Sequence, residues 1–188
     1  IITFTFAFII SCDNSITSNS VDCTELITYN NLKGDCSETL NHQNEVYFNL
    51  DGDLRIITSN NIPDHVVGLF GEDSGSLNPN QIEPQNNRYE IDLSPEKNDN
   101  VISLLNNGPA YSFGILFNGI ELDPIAAEPW PHTKPITSNH NWDWNLEAIN
   151  AGLGLDCNNA HVQPNGKYHY HGIPENYLRD IASDVTEM

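Results

Sequence analysis

Short apolar runs, each closed off by Asn, Asp, Gly or Pro, recur along the chain. Runs of four to eight apolar-rich residues bounded by such turn formers read as strands. Glu45-Val-Tyr-Phe-Asn-Leu50 and Leu54-Arg-Ile-Ile-Thr58 flank Asp51-Gly52-Asp53 and predict a hairpin. Tyr111–Phe117 and Ile120–Leu122 flank Asn118-Gly119, a pair that favours a type I′ turn. Phe113 to Phe117 is almost wholly apolar, which predicts a central strand there. Tyr89–Leu93 alternates and predicts a half-buried strand. Two short helices are expected. One runs from Trp144 to Ala151, with Asp143 as N-cap and Gly152 just past its end. The other starts at Pro174, with Ile173, Tyr177, Leu178 and Ile181 on one stripe. The fold class expected is therefore mainly β: antiparallel sheets, sandwich-like or forming a partly open barrel, with one or two short helices and long irregular loops.

One turn changes the picture from architecture to chemistry. Pro164-Asn165-Gly166 fits a three-residue hairpin loop, with Pro opening a type I turn and Gly in the left-handed position. Counting outward, Gln163 opposes Lys167 and His161 opposes His169. Side chains alternate faces along a strand, so His169 and His171 share one face and Tyr168 and Tyr170 the other. Directly opposed Cβ atoms lie ~5 Å apart. Three imidazoles at that spacing converge on one cation at a metal–nitrogen distance of ~2.0–2.1 Å. His161, His169 and His171 are thus the candidate ligands of a divalent transition metal, zinc or copper. A loop of two or four residues would instead turn His161 to the opposite face.

Three more residues are candidates around this site. His65, in a loop after Pro63, is a fourth ligand, a polar contact, or a solvent-facing side chain. Asp156 either ligates or orients an imidazole through its distal nitrogen. Cys157 is a further ligand, a small buried hydrophobe, or the partner of a cysteine in a segment beyond Met188. Glu121, Asp123 and Glu128 rank lower, as general bases or acceptors without a sequence link to His161. His132 and His140 bracket an aromatic cluster of Trp130, Trp142 and Trp144, read first as core packing and second as a platform for sugar rings.

Composition narrows the partners. The chain has 188 residues, 26 acidic and 7 basic, and a formal net charge of −19. Such a surface repels phosphate backbones, which argues against nucleic acid as a partner, and it attracts cations. The first twelve residues, Ile1 to Cys12, form an apolar run too short to span a bilayer. They are similar to the apolar core of a bacterial lipoprotein signal peptide, with Ile9-Ile10-Ser11-Cys12 as the lipobox and Cys12 as the lipid-bearing residue. The implied location is the bacterial cell envelope, with the membrane as a partner through that lipid. Residues 13–44 read as a polar tether, and Cys23 and Cys36, close in sequence in an exported context, are expected to form a disulfide. Residues 45–188 then form the folded domain.

Gly166-Lys-Tyr-His-Tyr-His-Gly-Ile-Pro174, with Asn158-Asn-Ala-His161 before it, resembles the signature of the YHYH-domain proteins. The likeness extends to Asn61-Ile-Pro-Asp-His65-Val-Val-Gly68, Asn78-Pro-Asn80, Phe113–Pro124, Ala127–Trp130 and Asn145-Leu-Glu-Ala148, about residues 45 to 178 in all. The resemblance implies an exported bacterial protein and a further segment beyond Met188; it implies no particular activity. With no initiating Met or basic leader, the chain is expected to be a piece of a longer protein.

Three functions follow as expectations: a metal-binding module, a metal-dependent hydrolase acting on an envelope or extracellular substrate, and a structural domain without metal. Motifs for phosphate cradles, serine nucleophile elbows and the helical His-Glu-x-x-His zinc site do not occur.

Overall fold

A computed structural model describes residues 36–70, 78–100, 113–123, 129–130, 139–145, 148 and 153–181. The apolar run to Cys12, Cys23, and the side chains of Glu128, His132, Trp142 and Trp144 lie outside the described parts. The fold is mainly β, with open sheets and one short helix among the described residues. No helix among them is long and apolar enough to cross a membrane.

The first sheet is the predicted hairpin with one added strand. β1 (Val46–Asp51) pairs antiparallel with β2 (Leu54–Ser59), and Asp51 faces Leu54 across the turn. Gly52 takes a positive φ of 58° there. β3 (Asn87–Asp92) pairs antiparallel with β2 on its other side, so the order is β1-β2-β3. The central strand buries both Ile56 and Ile57, whereas β1 exposes Tyr47, Phe48 and Leu50. The half-buried alternation expected of residues 89–93 holds at Tyr89, but Ile91 and Leu93 are exposed.

The second sheet carries the chemistry. β4 (Gly114–Ile115), β5 (Glu121–Leu122), β8 (Ala160–Val162) and β9 (Tyr168–Tyr170) lie in the order β4-β5-β9-β8. Its β5·β9 pair is parallel, which makes the sheet mixed rather than antiparallel throughout. A parallel pair needs a long crossover, and here the chain from Leu122 to Tyr168 supplies it. The Asn118-Gly119 turn is a three-residue loop rather than a two-residue type I′ turn. The Leu116 N–H donates to the Ile120 carbonyl at 2.9 Å, and Gly119 N–H donates to the Leu116 carbonyl at 2.8 Å. Phe117 is therefore part of the loop. Together with the position of β4 at the sheet edge, this leaves Phe113 and Phe117 exposed, at 66% and 79%. The central apolar strand expected there does not form.

β6 (Pro129–Trp130) and β7 (Asn141–Asn145) make a two-stranded sheet, with Asn145 facing Pro129. The helix expected from Trp144 onward does not begin there, because Trp144 and Asn145 belong to β7. A one-or-two-turn helix has little stability of its own, and strand pairing outcompetes it. Helix α1 (Glu175–Ile181) does follow Pro174, as expected. The Leu178 N–H donates to the Pro174 carbonyl at 3.0 Å. Of its expected stripe only Tyr177 is buried, while Ile173 and Ile181 are exposed.

The main apolar cluster is Val67, Phe70, Ile120, Ala160, Val162, Tyr168 and Tyr170. It lies on the tyrosine side of the second sheet. The segment after β2 lies against β8 and β9 through side-chain amides. Asn61 Nδ2 donates to the Tyr168 carbonyl at 2.8 Å, and Asn78 Nδ2 donates to the Val162 carbonyl at 2.9 Å. Backbone closes the tip, where Glu83 N–H donates to the Gly166 carbonyl at 3.0 Å.

Candidate metal centre

The β8–β9 hairpin has the register that the turn predicts. Ala160 faces Tyr170, His161 faces His169, and Val162 faces Tyr168. Gln163 and Lys167 close the loop through Gln163 N–H to Lys167 O at 3.0 Å, and Gly166 N–H donates to Gln163 O at 2.9 Å. Gly166 has φ +88°, and a Cβ there would collide with the side chain of Glu83. Glycine is required on both counts.

His171 lies one residue past β9 but keeps the face of His169. Its N–H donates to the Asn159 carbonyl at 2.7 Å, which continues the pairing beyond the strand. Asn159 makes this contact from a left-handed conformation, φ +54°, which asparagine tolerates better than most residues. The three imidazoles then meet edge to edge. His171 Nε2 is 3.0 Å from His161 Nε2 and 3.0 Å from His169 Nε2. The ring centroids form a near-equilateral triangle with sides of 4.8, 4.7 and 4.8 Å. One nitrogen from each ring lies within 4.8 Å of the others.

Backbone carbonyls set the tautomers. His161 Nδ1 is 3.1 Å from the Leu153 carbonyl, and His169 Nδ1 is 3.3 Å from the Lys167 carbonyl. A carbonyl only accepts, so each Nδ1 carries the proton and each Nε2 turns a bare lone pair inward. His171 brings at most one proton to two such neighbours, and its own Nδ1 is buried without a partner. Three electron-rich nitrogens crowded in this way fit a cation held between them. Burial pushes the His169 imidazole down to about 4 and His171 to about 2, with the neighbouring histidines adding to both shifts. Neutral imidazole is the form that ligates.

The opposite face of the hairpin is a buried polar network, and it takes the other candidates away from the cluster. Asp156 is neither a ligand nor an orienting group for an imidazole. Its Oδ1 accepts from the N–H groups of Asn158 at 2.8 Å and Ala160 at 3.2 Å. Its Oδ2 accepts from the Tyr168 hydroxyl at 2.8 Å and the Gly68 N–H at 3.3 Å. Burial raises this carboxyl's pKa, and the four donors oppose the shift. His65 belongs to the tyrosine face as well. Its Nδ1 is 2.8 Å from the Val66 carbonyl, so the proton sits there, and Nε2 accepts from the Tyr170 hydroxyl at 2.6 Å. Cys157 is bonded to Cys36, which removes it as a ligand and removes Cys36 as the partner of Cys23.

Sequence reasoning missed the asparagines that hold this arrangement. Asn118 Nδ2 bridges Asp64 Oδ1 at 3.0 Å and the Tyr170 hydroxyl at 2.9 Å. Asn158 Nδ2 donates to the Val66 carbonyl at 3.0 Å, and its Oδ1 accepts from Asn176 N–H at 3.0 Å. The available signal was the Asn-rich loops themselves, since Asn side chains satisfy irregular backbone. Glu121 is an acid on the histidine side: it faces His169 across the parallel pair. Its Oε1 is 2.6 Å from Lys167 Nζ and accepts from the Tyr89 hydroxyl at 2.6 Å. Asp123 is tied by its own N–H to the Tyr170 carbonyl at 2.8 Å.

A family model described as YHYH protein matches residues 88–188. No curated protein and no solved structure matches the chain.

Proposed function

The chain belongs to the YHYH protein family, and from that premise we propose that it is a transition-metal-binding module whose ion is held by His161, His169 and His171. The observation that carries this reading is the triangle of Nε2 atoms, with two edges of 3.0 Å and two tautomers set by backbone carbonyls. Three neutral nitrogens suit Zn²⁺ and Cu²⁺, and the affinity order favours copper when both are present. The test is metal content after dialysis against trace Zn²⁺ and Cu²⁺, measured by mass spectrometry. The native chain retains a stoichiometric ion, and the triple variant His161→Ala, His169→Ala, His171→Ala retains none. Equal metal in both would remove the idea.

The reading includes export. The lipobox-like Ile9-Ile10-Ser11-Cys12 supports a lipoprotein of the bacterial cell envelope anchored through Cys12. The Cys36–Cys157 bond supports it independently, since disulfides persist in oxidising compartments. Metabolic labelling with a fatty acid, lost in Cys12→Ser, checks the anchor.

A metal-dependent hydrolase is the second reading, favoured by the half-buried position of His161 beside the buried His169 and His171. Access of this kind suits an ion that works on a substrate. Asp156 is not its base, being bonded on the other face. Glu121 is a described acid on the correct face. Hydrolysis of peptidoglycan or ester substrates that vanishes on chelation supports this reading, and its persistence removes it.

A further inference from the structure

The sheet of β1, β2 and β3 has one guarded edge and one open edge. β3 carries Arg88, Glu90 and Asp92, charged side chains of the kind that keep an edge strand from pairing. Among the described residues, β1 pairs with β2 alone, in an unbroken register without a bulge. From Val46 to Leu50 it has no charge, no proline and no glycine. Every residue of β1 after Val46 is exposed, Leu50 at 71%.

The backbone of β1 is turned to accept a further strand. Asn60 N–H donates to the Glu45 carbonyl at 3.0 Å. Antiparallel pairs alternate between bonded and unbonded, so Tyr47, Asn49 and Asp51 also bond to β2. The N–H and C=O groups of Val46, Phe48 and Leu50 then point out of the open edge. The side chains of these residues share one face, where Phe48 meets the exposed ring of Phe117 at a centroid distance of 6.2 Å. Unpaired backbone along an apolar row is the surface that strand addition uses.

Charge selects the occupant. Glu45 and Asp51 flank the apolar row, with Asp53 next in the turn, and the chain as a whole has a net charge of −19. Arg55 faces Leu50 from β2, on the side away from the open edge. A second copy of this chain fits badly. An antiparallel pairing that sets Phe48 against its own counterpart also sets Glu45 against Asp51 at both ends, and like charges directly opposed destabilise a sheet. We propose that β1 binds an extended, basic segment of another protein, which adds a further strand to this sheet. Its apolar residues lie along Val46, Phe48 and Leu50, and its Lys or Arg side chains lie over Glu45 and Asp51. The proposal stands apart from the metal-binding reading.

The experiment uses the full chain and a dye-labelled synthetic peptide, Lys-Val-Thr-Val-Thr-Val-Lys, which has the period of two that the row requires. One comparison peptide has Glu in place of Lys, and another carries N-methyl groups on its valine amides and cannot donate along an edge. Fluorescence anisotropy gives the half-point of each titration. The Lys peptide is expected to saturate at a half-point at least about tenfold below both comparison peptides, and to weaken as salt is raised. Phe48→Pro removes an outward N–H that β2 does not use, and is expected to raise the half-point at least about tenfold. Glu45→Gln with Asp51→Asn leaves the strand pairing alone and is expected to raise it too; this double variant decides the matter if circular dichroism shows Phe48→Pro unfolded. No saturation below ~1 mM overturns the proposal. So does a half-point that the double variant leaves unmoved, or one that the Glu peptide or the N-methylated peptide matches. A dimer of the native chain in sedimentation, dispersed by Phe48→Pro, overturns it in favour of a second copy.

Discussion

The Tyr170 hydroxyl donates to His65 Nε2 at 2.6 Å, across 105 residues of chain. Its neighbour in sequence, His169, faces the opposite way and belongs to the imidazole triangle. The hairpin therefore separates two jobs by face, and the separation is testable. Tyr170→Phe leaves His65 Nε2 and Asn118 short of a partner, and Tyr168→Phe takes a donor from buried Asp156. Each change is expected to lower stability by ~1–3 kcal/mol, the range for a lost buried hydrogen bond. Metal content is expected to stay that of the native chain. Urea unfolding and mass spectrometry on the same samples check both halves; loss of metal in either variant contradicts the separation.

The Cys36–Cys157 bond closes a separation of 121 residues. The chain-entropy model assigns a loop of that order ~4–5 kcal/mol of stabilisation. The double variant Cys36→Ser, Cys157→Ser is expected to unfold at clearly lower denaturant, and reductant is expected to shift the native chain to the same midpoint. A midpoint that neither change moves contradicts the linkage.

Gly166→Ala meets both a left-handed backbone and the side chain of Glu83. Gly52→Ala meets a left-handed backbone with no heavy atom within 4 Å. Gly52→Ala is expected to cost ~1 kcal/mol for the backbone alone, and Gly166→Ala ~2–3 kcal/mol once the collision is added. Denaturant midpoints of the pair measure the difference. Equal losses would show that the tip relaxes away from Glu83.

The depressed His169 imidazole gives a pH signature. Its folded value, about 4, lies below the unfolded value, so the unfolded chain binds the extra proton between about pH 4 and 6.5. The stability it contributes is complete above pH 6.5 and is lost as pH falls toward 4, by roughly 3 kcal/mol. Asp156, with its carboxyl raised by burial, works the other way, losing stability as pH rises above the ordinary carboxylate range. Site-resolved NMR titration of the metal-free chain separates the two. His169 is expected to titrate near pH 4, and a midpoint near 6.5 contradicts its burial among the other imidazoles.

What was legible in the sequence was local. Pro164-Asn165-Gly166 fixes the loop length, and a strand period of two then dictates that His161, His169 and His171 share a side. Asp51-Gly52-Asp53 gave the first hairpin in the same way. The misreadings were long-range or competitive. The Cys36–Cys157 pair and the His65–Tyr170 bond join segments more than 100 residues apart, and no local pattern announces them. Trp144 and Asn145 carry helix signals, but the partner strand at Pro129–Trp130 decides their state. Phe113–Phe117 reads as core until the loop at Asn118 claims Phe117.

The Tyr-His-Tyr-His run is in effect a two-sided key, with phenols cut to fit the inside of the protein and imidazoles gathered on its other side. Because the cut alternates with every residue, inserting or deleting one amino acid ahead of Tyr168 would exchange the sides. Imidazoles would be driven against Asp156 and the apolar floor, and phenols would take the place of the imidazole triangle. Such a protein loses its buried hydrogen bonds and its histidine cluster in one step, so the spacing of this tetrapeptide tolerates point changes far better than shifts of frame.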